Sequence, residues 1–258
     1  MWTKTLRIGH GNLGRSPGAV NSYRGGCSFA ALLRRVAAVP GVERVRFTTS
    51  HPHDLSDELV EAFRDEPRVM PHFHLPVQSG SDAVLRRMRR DYGVDEYLER
   101  HRRLSDARPG IAITTDFIVG FPGETEADFE GSLALLRRAR FENSFAFVFS
   151  PRPHTVADRR LGTSPEWQEV PRKVVLERLE RLHAEQRSIA VAVLASQLGR
   201  EVELLVEGAS DDGGHMGRTP ENRVVHIESH GRDLAPGSLV RARVVRAGHS
   251  SLGAELAA

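Results

Sequence analysis

Four short loops hold most of the residues that could do chemistry: Ser50-His51-Pro52, Gln78-Ser79-Gly80-Ser81, Gly120-Phe121-Pro122-Gly123-Glu124 and Ser150-Pro151-Arg152-Pro153. The run Gly120 to Glu124 lies between an apolar strand and a capped helix, so its backbone N–H groups and the helix dipole suit an anion or the edge of a nucleotide. A tight turn that needs glycine only for its geometry accounts for the same residues. Gln78, Ser79 and Ser81 suit hydrogen bonds to a ribose or a carboxylate at the end of a strand, and N-capping by Ser81 is the competing account. Arg152 offers a guanidinium for a carboxylate or phosphate, or is a plain surface arginine. His72 and His74 fall on one face of a strand, and with His51 and His53 they raise a metal-hydrolase reading. Twelve histidines in the chain produce such pairs by chance, and Asp116 stands at no spacing that completes a site.

These loops need strands and helices to hold them. Short β-branched and aromatic runs alternate with helical patterns from Ser28 onward, the signature of βαβ units and a parallel sheet. Strands are expected over 42–49, 72–77, 111–120 and 144–149. Ser28, Ser56, Ser81 or Asp82, and Thr125 each open a helix, Thr125 with Asp128 forming a variant capping box. Right-handed crossovers put all strand C-termini on one side, and the four loops follow those ends. Four strands leave an open, partial barrel. Arg172 to about Leu198 reads as one long amphipathic connector. Beyond Gly199, short β runs at 202–206, 223–227 and 239–245, separated by Gly, Asp and Pro turns, fit a small antiparallel barrel.

Composition sets limits on function. At 258 residues the chain is longer than a usual single domain, and it carries 40% hydrophobic and 27% charged residues, ordinary globular values. No apolar run approaches a membrane span and no secretory leader is evident, so a cytoplasmic protein is expected. Cys27 is the only cysteine, which excludes an internal disulfide framework and any thiolate cluster built from these residues alone. Of 36 basic residues only Lys4 and Lys173 are lysines, yet the net charge is just +2, too small to establish a nucleic-acid partner. In the terminal β region Arg218, Arg223, Arg241, Arg243 and Arg246 could line an RNA-facing surface. Seven arginines meet nine acidic residues there, so a basic patch must be local.

Taken together the loops resemble the radical S-adenosylmethionine tRNA methylthiotransferases, the MiaB-type family. The resemblance is carried by Val20-Asn21-Ser22-Tyr23, by Arg46 to Pro52, by His74 to Ser81 with Leu85, Met88, Arg90 and Tyr92, by Thr115 to Thr125 with Asp128 and Phe129, and by Ser150 to Pro153. Gly217-Arg218-Thr219 with Asn222 and Arg223 resembles the family's TRAM domain, a small OB-like barrel associated with tRNA binding. Phe149 and His154 depart from the family, which tends to have tyrosine and glycine there.

The resemblance implies an α/β fold: a partial, open radical-SAM-type parallel β/α barrel over 20–165, a helical connector over 166–198 and a TRAM domain over 199–258, with 1–19 unmatched. It implies transfer of a methylthio group to C2 of an N6-isopentenyladenosine in tRNA, with S-adenosylmethionine and two 4Fe-4S clusters as cofactors. Gln78, Ser79 and Ser81 would sit by the ribose and methionine part, Gly120, Phe121, Pro122, Gly123 and Glu124 by the adenosine, and Arg152 at the rim. The family's cluster cysteines have no counterpart here. The chain is therefore expected to be shortened, inactive alone and unable to bind S-adenosylmethionine well, unless a separate chain supplies the cluster ligands. A non-catalytic RNA-binding protein that keeps the TRAM domain is the alternative.

Overall fold

A computed structural model describes residues 5–9, 27–48, 51–210 and 214–257. Most of the 1–19 segment, the Val20 to Tyr23 motif and the pair Thr49-Ser50 lie outside them. Strands β1 (Thr5–Gly9) and β2 (Arg44–Thr48) pair in parallel. β3 (His72–His74), β4 (Ala112–Val119) and β5 (Asn143–Val148) form a second parallel set in that order. A single parallel bridge, Val45 to Val69, links the two. The strand expected over 72–77 is interrupted because Pro76 has no N–H to donate. Val77 instead donates to Thr115 Oγ1 at 3.0 Å, and pairing resumes where Gln78 meets Phe117.

Helices α1 (Phe29–Ala37), α2 (Asp57–Asp65), α3 (Asp82–Arg87), α4 (Val94–Ala107) and α5 (Glu126–Ala139) alternate with these strands. Ser28, Ser56 and Ser81 cap α1, α2 and α3 as expected, and Thr125 with Asp128 closes a full capping box on α5. Each cap satisfies amide donors that the first helical turn leaves unpaired. Helix faces carrying Leu33, Phe63, Leu104, Phe129 and Leu136 pack on Phe73, Phe117 and Val119 of the sheet in one apolar core.

After the short α6 (Val156–Arg160), α7 (Arg172–Ala195) runs 24 residues, roughly 36 Å at 1.5 Å per residue. It starts beside Gly120 at the C-terminal end of β4, where a Cβ on that glycine would lie 2.5 Å from Val175. Further along, Gln186 donates to the Phe141 carbonyl just before β5, and Leu194 enters the core of the last domain. α7 thus carries the chain from one end of the sheet to the other.

The terminal domain is a closed barrel of β6 (Glu201–Ala209), β7 (His215–Arg218), β8 (Val224–Glu228), β9 (Leu239–Ala247) and β10 (Leu252–Leu256), in the order β10-β8-β7-β6-β9. Four seams are antiparallel, and the seam between β8 and β10 is parallel. Among the described residues no helix is long and apolar enough to cross a membrane.

Candidate functional site

The loops after β3 and β4 meet at the C-terminal end of the sheet. The Ser81 hydroxyl donates to Asp128, which also accepts from Thr125, and Arg87 Nη2 donates to the Gly123 carbonyl at 3.1 Å. Gly80 lies against α5 so closely that a Cβ would stand 2.4 Å from the Gly131 carbonyl oxygen, while its N–H donates to Ser132 Oγ at 2.8 Å. A Gly80→Ala variant must push the loop and helix apart, which should cost about 2–3 kcal/mol of stability. A thermal melt matching the wild type would show that the contact is slack.

The expected cofactor residues divide by what already holds them. Gln78 is buried and takes a left-handed φ of 75°, rare outside glycine and typical of strained functional positions. Ser79 is fully buried and its hydroxyl accepts from the Ser81 N–H at 3.2 Å; Ser81 caps α3 and binds Asp128. In the glycine turn the Gly120 N–H donates to Glu124 Oε2, Gly123 N–H to the Gln168 carbonyl and Glu124 N–H to the Phe121 carbonyl. These donors are engaged inside the protein, so the turn is not an open anion cradle. Its glycines answer to packing: a Cβ on Gly123, at φ 72°, would sit 2.1 Å from the Glu166 carbonyl oxygen. Arg152 is exposed in the loop after β5. Nearby His154 holds φ 69°, a conformation glycine takes freely and other residues reach at about 1–2 kcal/mol.

Sequence reasoning missed the ion cluster behind the turn. Glu124 and Arg178 expose 2% and 5% of their side chains and meet at 3.0 Å; Arg178 Nε also binds Glu126. Burial pushes the Glu124 carboxyl upward, and the Gly120 N–H and the Arg178 guanidinium pull against that. Helical spacing gave no sign that one arginine of α7 reaches this turn.

At the opposite end of the sheet the small barrel is clamped in place. Arg44, the first residue of β2, is 2% exposed; it donates to the Arg218 and Glu203 carbonyls at 2.9 and 3.3 Å and pairs with the Glu203 carboxylate. Arg223 pairs with Glu142 just before β5. Between the sheet, α7 and the barrel lies a cavity of about 720 Å³, lined by His74, Asp116, Phe145, Phe147, Arg218 and Arg223 among others. The five arginines expected on one RNA-facing surface are therefore divided. Arg218 binds Glu207 and Arg223 binds Glu142 at the domain junction, whereas Arg241, Arg243 and Arg246 are exposed along β9, Arg243 beside Glu201.

The metal-hydrolase reading finds no site. His74 is held between Thr114 Oγ1 at 2.9 Å and Asp116 at 3.3 Å, and among the described residues no three His, Cys, Asp or Glu side chains converge as a metal site. Burial, with Arg46, His74 and Arg218 nearby, lowers His72 to about 4. A neutral buried base stabilises the fold above its unfolded value near 6.5 and loses that contribution as pH falls toward 4. Between pH 7 and 4.5 the wild type should lose about 2–3 kcal/mol more than a His72→Gln variant. Urea midpoints that fall in parallel for the two proteins would refute this.

An open parallel β/α sheet with polar loops at its strand C-termini, joined by a long helix to a closed five-stranded barrel, has the form of a partial radical-SAM-type domain followed by an OB-like barrel. Two family models match accordingly: the Radical SAM superfamily over residues 21–136 and the TRAM domain over 195–257. A tRNA-2-methylthio-N(6)-dimethylallyladenosine synthase of Anaeromyxobacter sp. (strain Fw109-5) is 74% identical over 90% of this chain and 51% of its own length. The proteins of that name from Myxococcus xanthus (strain DK1622) and Geobacter metallireducens (strain ATCC 53774 / DSM 7210 / GS-15) are 57% and 46% identical, over 88% and 92% of this chain and 48% and 53% of theirs. The chain carries a Radical SAM and a TRAM domain, is similar through both to the MiaB-type methylthiotransferases, and spans about half the length of the curated relatives it matches.

Iron-sulfur clusters are part of what the family implies, and the residues present do not fit them. Clusters of this kind normally take several cysteine thiolates. Cys27 is the only cysteine in the sequence, and its thiol faces the Ser28 carbonyl at 3.5 Å.

Proposed function

We propose that this chain serves the methylthiolation of an N6-isopentenyladenosine beside the anticodon of a tRNA, contributing the TRAM barrel and the sheet that faces the reaction. The observation that carries the reading is the kinship at 74% identity, which runs through both domains and their connecting helix. The loops that end β3 and β4 fit a nucleoside cofactor in part: Gln78, with its strained buried backbone, and the face of Gly120 to Glu124 would border the adenosyl group of S-adenosylmethionine, with Ser79 and Ser81 shaping the loop and Arg152 at the rim. Arg241, Arg243 and Arg246 on the outer face of β9 would meet RNA phosphates. With a single cysteine, the thiolates for any cluster would come from outside these 258 residues, for example from a separate chain.

Two titrations test this. A labelled anticodon stem–loop should bind with strong salt dependence, and more tightly when it carries N6-isopentenyladenosine than plain adenosine. Calorimetry with S-adenosylmethionine should show weak binding or none, since the metal anchor for its methionine end is not supplied by these residues. Equal affinity for the two RNAs would remove the proposed substrate. The second reading, an RNA-binding protein without the chemistry, is favoured by the single cysteine; salt-dependent RNA binding indifferent to the modification would select it.

A further inference from the structure

The TRAM barrel docks at the N-terminal ends of the strands, and the loops that would face a reacting base lie at the C-terminal ends, with the length of α7 between. An RNA held only by the TRAM barrel would be anchored far from those loops. At the C-terminal end there is a second feature suited to grip it. A cavity of about 350 Å³ opens between α3, α6 and the Pro165–Trp167 turn, lined by Arg86, Arg87, Arg89 and Arg160 with one carboxylate, Glu166.

The charges are unbalanced: four guanidiniums share one carboxylate, whereas a single arginine elsewhere can meet two, as Arg102 does with Glu99 and Asp106, and Arg181 with Glu126 and Glu130. Among the described residues no carboxylate pairs with Arg86, Arg89 or Arg160. Arg87 and Arg160 are also held in place. Arg160 lies over the buried Trp167 ring at 5.6 Å, a cation–π contact that restrains the guanidinium. Arg89 leaves α3 at φ 58°, and Arg87 is tied to the Gly123 carbonyl while its Nε is buried without a hydrogen-bond partner. Trp167 packs on Phe121 of the glycine turn, so the cavity floor is continuous with the loops after β3 and β4.

We propose that this arginine-lined cavity is a second RNA-binding site that receives the phosphodiester backbone of the tRNA on the reaction side of the sheet. Guanidinium groups match phosphate oxygens two at a time, and contacts to the backbone fix register without reading sequence. The inference rests on the tRNA reading above and adds to it where the RNA is held.

The test is fluorescence anisotropy of a labelled anticodon stem–loop with the full chain across a salt series. An Arg86→Ala/Arg160→Ala variant should bind roughly tenfold more weakly, and its plot of log affinity against log salt should flatten by about 1.4, near 0.7 for each lost single-strand phosphate contact. An Arg35→Ala/Arg64→Ala variant removes two exposed arginines from the far ends of α1 and α2 and should stay close to wild type. An Arg86→Lys/Arg160→Lys variant should recover part of the salt slope. The proposal is overturned if the cavity variant binds like wild type, or if the control loses as much. In the first case a loss confined to an Arg241→Ala/Arg243→Ala variant would leave the tRNA reading intact with the TRAM barrel as its site. No binding by the wild type would overturn both.

Discussion

Replacing Arg178 by alanine should unfold the protein some 6–20 °C earlier, from a loss of about 3–5 kcal/mol. The side chain is buried in α7 and its guanidinium binds the Glu124 carboxylate and carbonyl, binds Glu126, and lies over the Phe129 ring at 5.6 Å. Removing it strands the Glu124 charge in an apolar setting with only the Gly120 N–H left to it. Burial already raises the Glu124 carboxyl, and without the guanidinium it rises further. A carboxyl raised above its unfolded value is stabilising when protonated, below about 4.5, and destabilising as pH climbs through the folded value. The deficit of the variant should therefore be largest near pH 8 and shrink toward pH 5. A double variant, Arg178→Met with Glu124→Gln, should recover much of the loss, since it removes both charges. A melting temperature within 2 °C of wild type for Arg178→Ala would sink this account.

An Arg44→Ala variant should release the small barrel from the sheet. The carbonyls of Arg218 and Glu203 lose the Arg44 donor, at about 1 kcal/mol for each partly buried hydrogen bond. Arg46 to the Thr219 carbonyl at 2.7 Å, and Arg223 to Glu142, remain as the other ties. The expected outcome is a melt that splits into two transitions, with amide exchange rising in β6 and β7 before it rises in β4. A single unshifted transition would mean that α7 and the remaining ties suffice to hold the domains.

Much of the architecture is legible in the residues. Ser28, Ser56 and Thr125 mark helix starts by side chains that satisfy free amides, and the apolar run before Gly120 marks a buried strand. β7 and β10 are not legible. His-Met-Gly-Arg and Leu-Gly-Ala-Glu-Leu hold no β-branched residue, and they are extended because closing the barrel gives their backbones partners on both sides. β3 ends earlier than its residues suggest for the opposite reason, since the missing amide of Pro76 breaks a β-rich run. At the site, the loops were legible as loops, and the reason for their glycines was not, because Val175 and Glu166 press on them from 40 to 55 positions away. The arginines divide the same way: nothing local distinguishes Arg44 or Arg223, which lie at the domain junction, from Arg86 and Arg160, which face solvent.

The span between Arg44 and its acceptor bears on how the chain is made. The two are 174 residues apart, and at synthesis rates of about 5–20 residues per second that separation is roughly 10–35 s of translation. Through that interval the sheet holds a cation whose partners have not been made, so the first domain leaves the ribosome with an unfinished underside. Codon changes that slow synthesis between positions 44 and 218 should lengthen its exposure to chaperones and proteases without altering a single contact in the finished protein.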